Sequence, residues 1–210
     1  MQWHSVAWVM GVLLLVSAPA FAAVDDDYRR GLTDFQRGDV VAAMSALRPG
    51  ASAGHAPSQS LLAFILDRAD FPEEAATLYR AAAARDDAEA HAGLANLLLT
   101  GRGVAKDEKA AFEHFSKAAQ LGHDLAIQVV ADAYLKNQFG HSAEREGSAA
   151  RIALERAAGR GHLPSAEALA AACRSGGLGA AADPACEAQW RARVAEIKRQ
   201  RLGTPAKARP

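Results

Sequence analysis

The side chains that could do chemistry in this 210-residue chain are seven histidines, two cysteines and 24 carboxylates. Their spacing argues against most of that chemistry. His55, His123 and His162 each follow a glycine, at Gly54, Gly122 and Gly161, and each opens a similar run of sequence. Residues that recur in this way belong to a repeated turn, and equivalent places in stacked units lie about a helix pair apart, too far to share one ion. His91 and His114 fall on different segments of one unit, and no His-x-x-x-His, His-Glu-x-x-His or Cys-x-x-Cys ligand spacing is present. Gly101-Arg102-Gly103 is not followed by Gly-Lys-Ser/Thr, so it reads as a turn in which glycine supplies positive φ rather than as a phosphate loop. Glu73, Glu74, Glu144 and Glu146 open helical segments, where carboxylates favour the positive end of the helix dipole. The sequence therefore predicts no catalytic residue, no metal site and no cofactor.

What positions these residues is a repeat. With offset zero at Gly54, Asp86, Gly122 and Gly161, offsets four, eight, nine and twelve read Ser58, Leu62, Ala63, Leu66; Ala90, Leu94, Ala95, Leu98; Ala126, Val130, Ala131, Tyr134; and Ser165, Leu169, Ala170, Cys173. These spacings mark one close-packing face of a helix. A second helix follows in each unit, with Ala75, Tyr79, Ala82 and Ala83 matched by Ala111, Phe115, Ala118 and Ala119, then by Ala150, Leu154, Ala157 and Ala158. Unit starts lie 32, 36 and 39 residues apart, the length of a helix–turn–helix repeat. The expected fold is all-α.

Leu94-Ala95, Leu98, Gly101-Arg102-Gly103-Val104, Asp107, Ala111, Phe115, Lys117-Ala118-Ala119 and Gly122 together resemble a Sel-one-like repeat, the bacterial relative of the tetratricopeptide repeat. Phe35 to Asp39, Ala43-Met44 and Leu47 to Pro49 resemble a partial leading repeat. The unit from Gly122 carries extra residues around Gln138 to Arg145, and His114 stands where the family often has Trp. The resemblance implies a right-handed superhelical α-solenoid of about four to five antiparallel helix pairs. It also implies a groove lined by first helices, whose larger and polar inward residues would be Phe64, Asp67, Arg68, Glu89, Asn96, Gln128, Asp132, Lys136, Glu167 and Arg174.

The ends bound the array. Val6 to Val16 is apolar, Pro19 follows, and Ala20-Phe21-Ala22 precedes an acidic start, so residues 1–22 read as a signal peptide cleaved after Ala22. Residues 23–53 are then the partial leading repeat, 54–195 the repeat array, and 196–210 a basic, disordered tail. A secreted or periplasmic setting lets Cys173 and Cys186, 13 residues apart in the last unit, pair as a staple. Formal net charge is zero, with 24 basic and 24 acidic residues, which gives no footprint for nucleic acid. The functional expectation is a periplasmic, non-catalytic scaffold for envelope proteins, with no membrane span after cleavage. The alternative is binding of wall polymer or exopolysaccharide, and a β-lactam-binding or hydrolysing enzyme is the least expected, since no Ser-x-x-Lys is present.

Overall fold

The computed structural model describes residues 18–203, with side chains from 23 to 202, as ten helices without a strand. Helices α1 (Ala18–Gln36) and α2 (Val40–Ser52) form the first pair, α3 (Ala56–Arg68) and α4 (Pro72–Ala83) the second, and α5 (Ala88–Thr100) and α6 (Glu108–Gln120) the third. Helices α7 (Asp124–Lys136) and α8 (Ala143–Gly159) form the fourth pair, and α9 (Leu163–Ser175) and α10 (Pro184–Gly203) the fifth. Each pair packs on the next through α2 on α3, α4 on α5, α6 on α7 and α8 on α9, while α1 touches α3, α3 touches α5 and α7 touches α9. Contacts that reach only neighbouring units define a solenoid.

Local chemistry starts and stops these helices. Asp39, Asp87, Asp107 and Ser142 each accept a hydrogen bond from a backbone N–H in the first turn of the helix that follows. Helices α3, α4 and α9 instead begin with a proline in the first turn. Gly101 closes α5 at φ 74° and Asn137 closes α7 at φ 54°, both left-handed. Gly103 has a second reason to be glycine: a Cβ there would sit 2.4 Å from the backbone of Pro72, so the α5–α6 turn rests directly on the start of α4.

The repeat register is the register of burial. All twelve matched second-helix residues, from Ala75 to Ala158, are buried, and of the sixteen first-helix residues only Leu98 is partly exposed. Alanines make the contacts close, and larger residues fill the space between them. Leu47, Ile65, Tyr79 and Leu97 fill the amino-terminal half. Phe112, Phe115, Ile127, Tyr134, Leu154, Leu169 and Ile197 fill the rest. Helix α5 joins the two halves, giving Leu94 and Leu97 to one and Ala92 and Ala95 to the other.

Several expectations about the ends change. Residues 23–52 belong to a whole helix pair rather than a partial repeat, which makes five pairs among the described residues. The segment expected to be a tail from 196 is helical as far as Gly203, because α10 continues to that residue. Its last turns are anchored: Ile197 is buried, Lys198 pairs with Glu167 at 2.8 Å, and Arg201 donates to the Gly161 carbonyl at 3.1 Å. Residues 204–210 and most of the expected leader lie outside the described residues, and the backbone from Ala18 already belongs to α1. The Cys173–Cys186 disulfide is present, with Cα atoms 5.6 Å apart, joining the end of α9 to the start of α10. The extra residues after α7 form a loop in which the His141 ring stacks on Phe112 at 3.8 Å.

Candidate protein-binding face

The row of first helices presents a continuous face, and the ten residues expected on it divide into three groups. One group holds neighbouring units together. Asp67 and its backbone carbonyl receive Arg102 from the α5–α6 turn, at 3.4 and 3.0 Å. Glu89 receives His123 Nε2 at 3.3 Å, and Asp132 receives His162 Nε2 at 3.3 Å. A second group turns to α10: Glu167 pairs with Lys198 and Arg174 with Glu187, the latter at 2.7 Å.

The third group is available. Phe64 is 40% exposed, with Phe35 edge-on at 5.8 Å and the Arg68 guanidinium 5.7 Å from its ring centroid. Asn96 and Gln128 are exposed and make no side-chain hydrogen bond within the described residues. Lys136 reaches only Asp132 in its own helix, at 2.7 Å. An apolar ring, two unsatisfied amides and two cations on successive first helices form a mixed surface suited to a polypeptide rather than to an apolar chain.

The recurring histidines work as the repeated turn demands, with an addition that spacing did not reveal. His123 Nδ1 accepts the Ala126 N–H at 3.1 Å, capping α7. His55 Nδ1 meets Ser58 Oγ at 2.8 Å and His162 Nδ1 meets Ser165 Oγ at 2.7 Å. In all three the other ring nitrogen reaches a carboxylate of an earlier first helix: Asp25 at 3.2 Å for His55, and Glu89 and Asp132 for the others. In α5 the place is taken by Asp87, which caps its own helix and accepts Ser60 Oγ from α3 at 2.6 Å. These contacts latch one unit to the next.

Two of these sets are Ser–His–Asp lines, which raises the question of hydrolysis. Ser58 and Ser165 are wholly buried, and each line recurs at the same repeat position, so these hydroxyls face packing and not substrate. Gly50-Ala51-Ser52-Ala53-Gly54 has the Gly-x-Ser-x-Gly spacing of a nucleophile elbow, but it ends helix α2, and among the described residues no strand precedes it and Ser52 meets no histidine. No group of three or more His, Cys, Asp or Glu among the described residues could hold a metal ion. No described helix is long and apolar enough to cross a membrane.

Sequence spacing missed one juxtaposition. His91 and His114, 23 residues apart on α5 and α6, bring their Nδ1 atoms within 2.9 Å. Burial holds both imidazoles below the usual 6.5. At His91 the neighbouring ring and Lys117 push the same way, while Asp86 and the Ala83 carbonyl oppose; at His114 Glu113 opposes. His162 is also lowered by burial, which outweighs the Asp132 carboxylate beside it.

Ten helices stacked as pairs among the described residues, with an exposed row of first helices, define a helix-repeat α-solenoid. Residues 67–87 and 88–123 match the Sel1 repeat model. It is 33% identical over 95 residues to an uncharacterised protein of Neisseria meningitidis serogroup B, a stretch that is 45% of this chain and 20% of that relative. The chain thus spans about a fifth of the length of the curated relative it matches. Among solved structures it is similar to a Sel1 repeat protein from Oxalobacter formigenes, with a TM-score of 0.66 and 22% identity over 79% of this chain and 68% of the other. It is also similar to a protective antigen of uropathogenic Escherichia coli strains with an SLR fold, with a TM-score of 0.64 and 24% identity over 85% of this chain and 39% of the other. At these identities the likeness is one of fold.

Proposed function

We propose that this chain is a non-catalytic adaptor of the bacterial cell envelope that holds other proteins along its first-helix face. The observation that carries this reading is the available group on that face: Phe64 with Arg68, then Asn96, Gln128 and Lys136, spread over three successive first helices. A solenoid offers such a surface at no cost in folding, because its core lies between the helix layers and leaves this face free. The Cys173–Cys186 disulfide supports an oxidising compartment such as the periplasm or the exterior. The wall-polymer alternative had rested partly on a basic tail. Of its basic residues, Lys198 and Arg201 are engaged with the last units of the array, which leaves that reading less to stand on.

The test is crosslinking capture from envelope extract with the wild-type chain and with a face variant carrying Phe64→Ala, Asn96→Arg and Gln128→Arg. Enrichment of a small protein set by the wild type and its loss in the variant supports the adaptor. Glycan fragments recovered without protein would replace it with the polymer reading.

A further inference from the structure

We propose that the cleft between α4, α5 and α6 binds a carboxylate carried on an apolar body, supplied either by a small organic acid or by the carboxyl end of a polypeptide. Helix α5 packs on both α4 and α6 and floors an open cleft of about 430 Å3. Arg80 and Ala83 line it from α4, Ala110 and His114 from α6, and Leu94 and Leu98 form the floor. Its volume lies within the range of small-ligand sites.

Leu98 marks where the repeat departs from its own pattern. Its register partners Leu66, Tyr134 and Cys173 are buried, whereas Leu98 is partly exposed. Tyr134 is covered by the Phe112 and His141 rings, with centroids at 5.9 and 6.0 Å. Beside Leu98 the cleft walls present alanines, whose single methyl groups are too short to cover it. An apolar group seated there removes leucine surface from water.

Charge decides what that apolar group carries. Arg80 is exposed, and its guanidinium has no partner among the described residues. A guanidinium meets a carboxylate through two parallel N–H donors. The other cation near the cleft, Lys117, is already paired with Asp86 at 2.8 Å, and the Glu113 carboxylate acts on His114. One uncompensated positive charge with a carboxylate close by suits a monoanion and not a phosphate dianion. His114 is held as part of the wall by the hydrogen bond between its Nδ1 and that of His91, at 2.9 Å. Charge and floor together therefore select an apolar monocarboxylate.

The experiment is NMR titration of the full chain with phenylbutyrate, with its neutral amide, and with a short peptide ending in phenylalanine, beside an Arg80→Gln variant checked for helicity. Saturable shifts are expected at the amides of Ala83, Leu94, Leu98 and Ala110. The neutral amide should bind at least about tenfold more weakly than the acid, and Arg80→Gln should weaken the acid by a similar factor. Tighter binding of the peptide than of phenylbutyrate, lost when the peptide carboxyl is amidated, assigns the site to a polypeptide end; the reverse order assigns it to a small acid. No saturable shift at these amides up to about 10 mM of either acid would overturn the proposal. So would equal affinity for acid and amide, or unchanged binding by the variant. Peptide shifts confined to Phe64, Asn96 and Gln128 would belong to the first-helix face and would count against the cleft. Arg80 is exposed, so its replacement leaves the core intact.

Discussion

At the scale of single residues, close approach and burial do most of the work. Gly93 lies under the Tyr79 ring, where a Cβ would be 2.3 Å from a ring carbon. Tyr79 is itself buried, so the ring has nowhere to go. Gly93→Ala should therefore cost about 1–3 kcal/mol by overpacking. Gly159 has nothing within 4 Å and an ordinary helical backbone, so Gly159→Ala should instead add about 0.4–1 kcal/mol through the unfolded chain. Urea unfolding of the two variants checks the opposite signs. The histidines set the pH response. His91, His114 and His162 have folded-state pKa values below the unfolded 6.5, so the unfolded chain takes up their protons first as pH falls. Their contribution is complete above pH 6.5 and is lost as pH drops below it. Asp86 and Glu146, whose carboxyls are held below their usual values by Lys117 and His141, add a further loss at more acidic pH. Stability should thus fall between pH 7 and pH 5, and His114→Phe should flatten that slope. A urea midpoint that is constant or rises on acidification would refute this account of the histidines.

At the scale of helices, two sets of polar contacts repeat along the stack. First helices are joined by their capping histidines and by the carboxylates these reach. Second helices are joined by arginines that cover the carbonyls left open at the end of the preceding second helix. Arg156 of α8 donates to Ala119 at 3.0 Å, and Arg193 of α10 to Gly159 at 2.8 Å. Positive charge at a helix carboxyl end complements the dipole as well as the orphan carbonyls. Helix positions and their buried faces were legible in the sequence because alanine and leucine recur at helical spacing, and that periodicity is a local signal. These contacts were not legible, because Asp25 and His55, or Asp132 and His162, meet only after the stack has formed. The course of α10 was hidden for a similar reason. Its polar composition from Lys198 onward resembles a tail, whereas Ile197 is buried in the core, Lys198 pairs with Glu167 of α9 and Arg201 donates to Gly161 in the α8–α9 turn. Among the described residues the α9–α10 pair packs on one neighbouring pair, and its disulfide closes a separation of 13 residues, worth about 3 kcal/mol in the chain-entropy model. Reduction should raise amide exchange in α9 and α10 while leaving α3 to α6 unchanged. Uniform acceleration along the chain would show that the units unfold together and not singly.

At the scale of the whole molecule, the five helix pairs of the described residues form one continuous stack whose two core halves meet at α5. The pairing of the ten expected face residues divides them by task. Half hold the solenoid together, and Phe64, Arg68, Asn96, Gln128 and Lys136 are left facing outward with little to satisfy them. The family resemblance pointed to the face; it could not show that Glu167 and Arg174 are drawn to α10, because Lys198 and Glu187 meet them only once α10 has packed on α9. The measurement that tests the adaptor reading most directly compares capture by three chains: wild type, the Phe64→Ala, Asn96→Arg, Gln128→Arg variant, and a variant altered on second helices at exposed Val41 and Ile152, each to Lys. All three should retain wild-type helicity, because none of the five sites is buried. The account predicts that the first-helix variant loses the wild-type set of crosslinked proteins and the second-helix variant keeps it. Loss from the second-helix variant with retention by the first-helix variant would contradict it, and would place the binding surface on the opposite side of the solenoid.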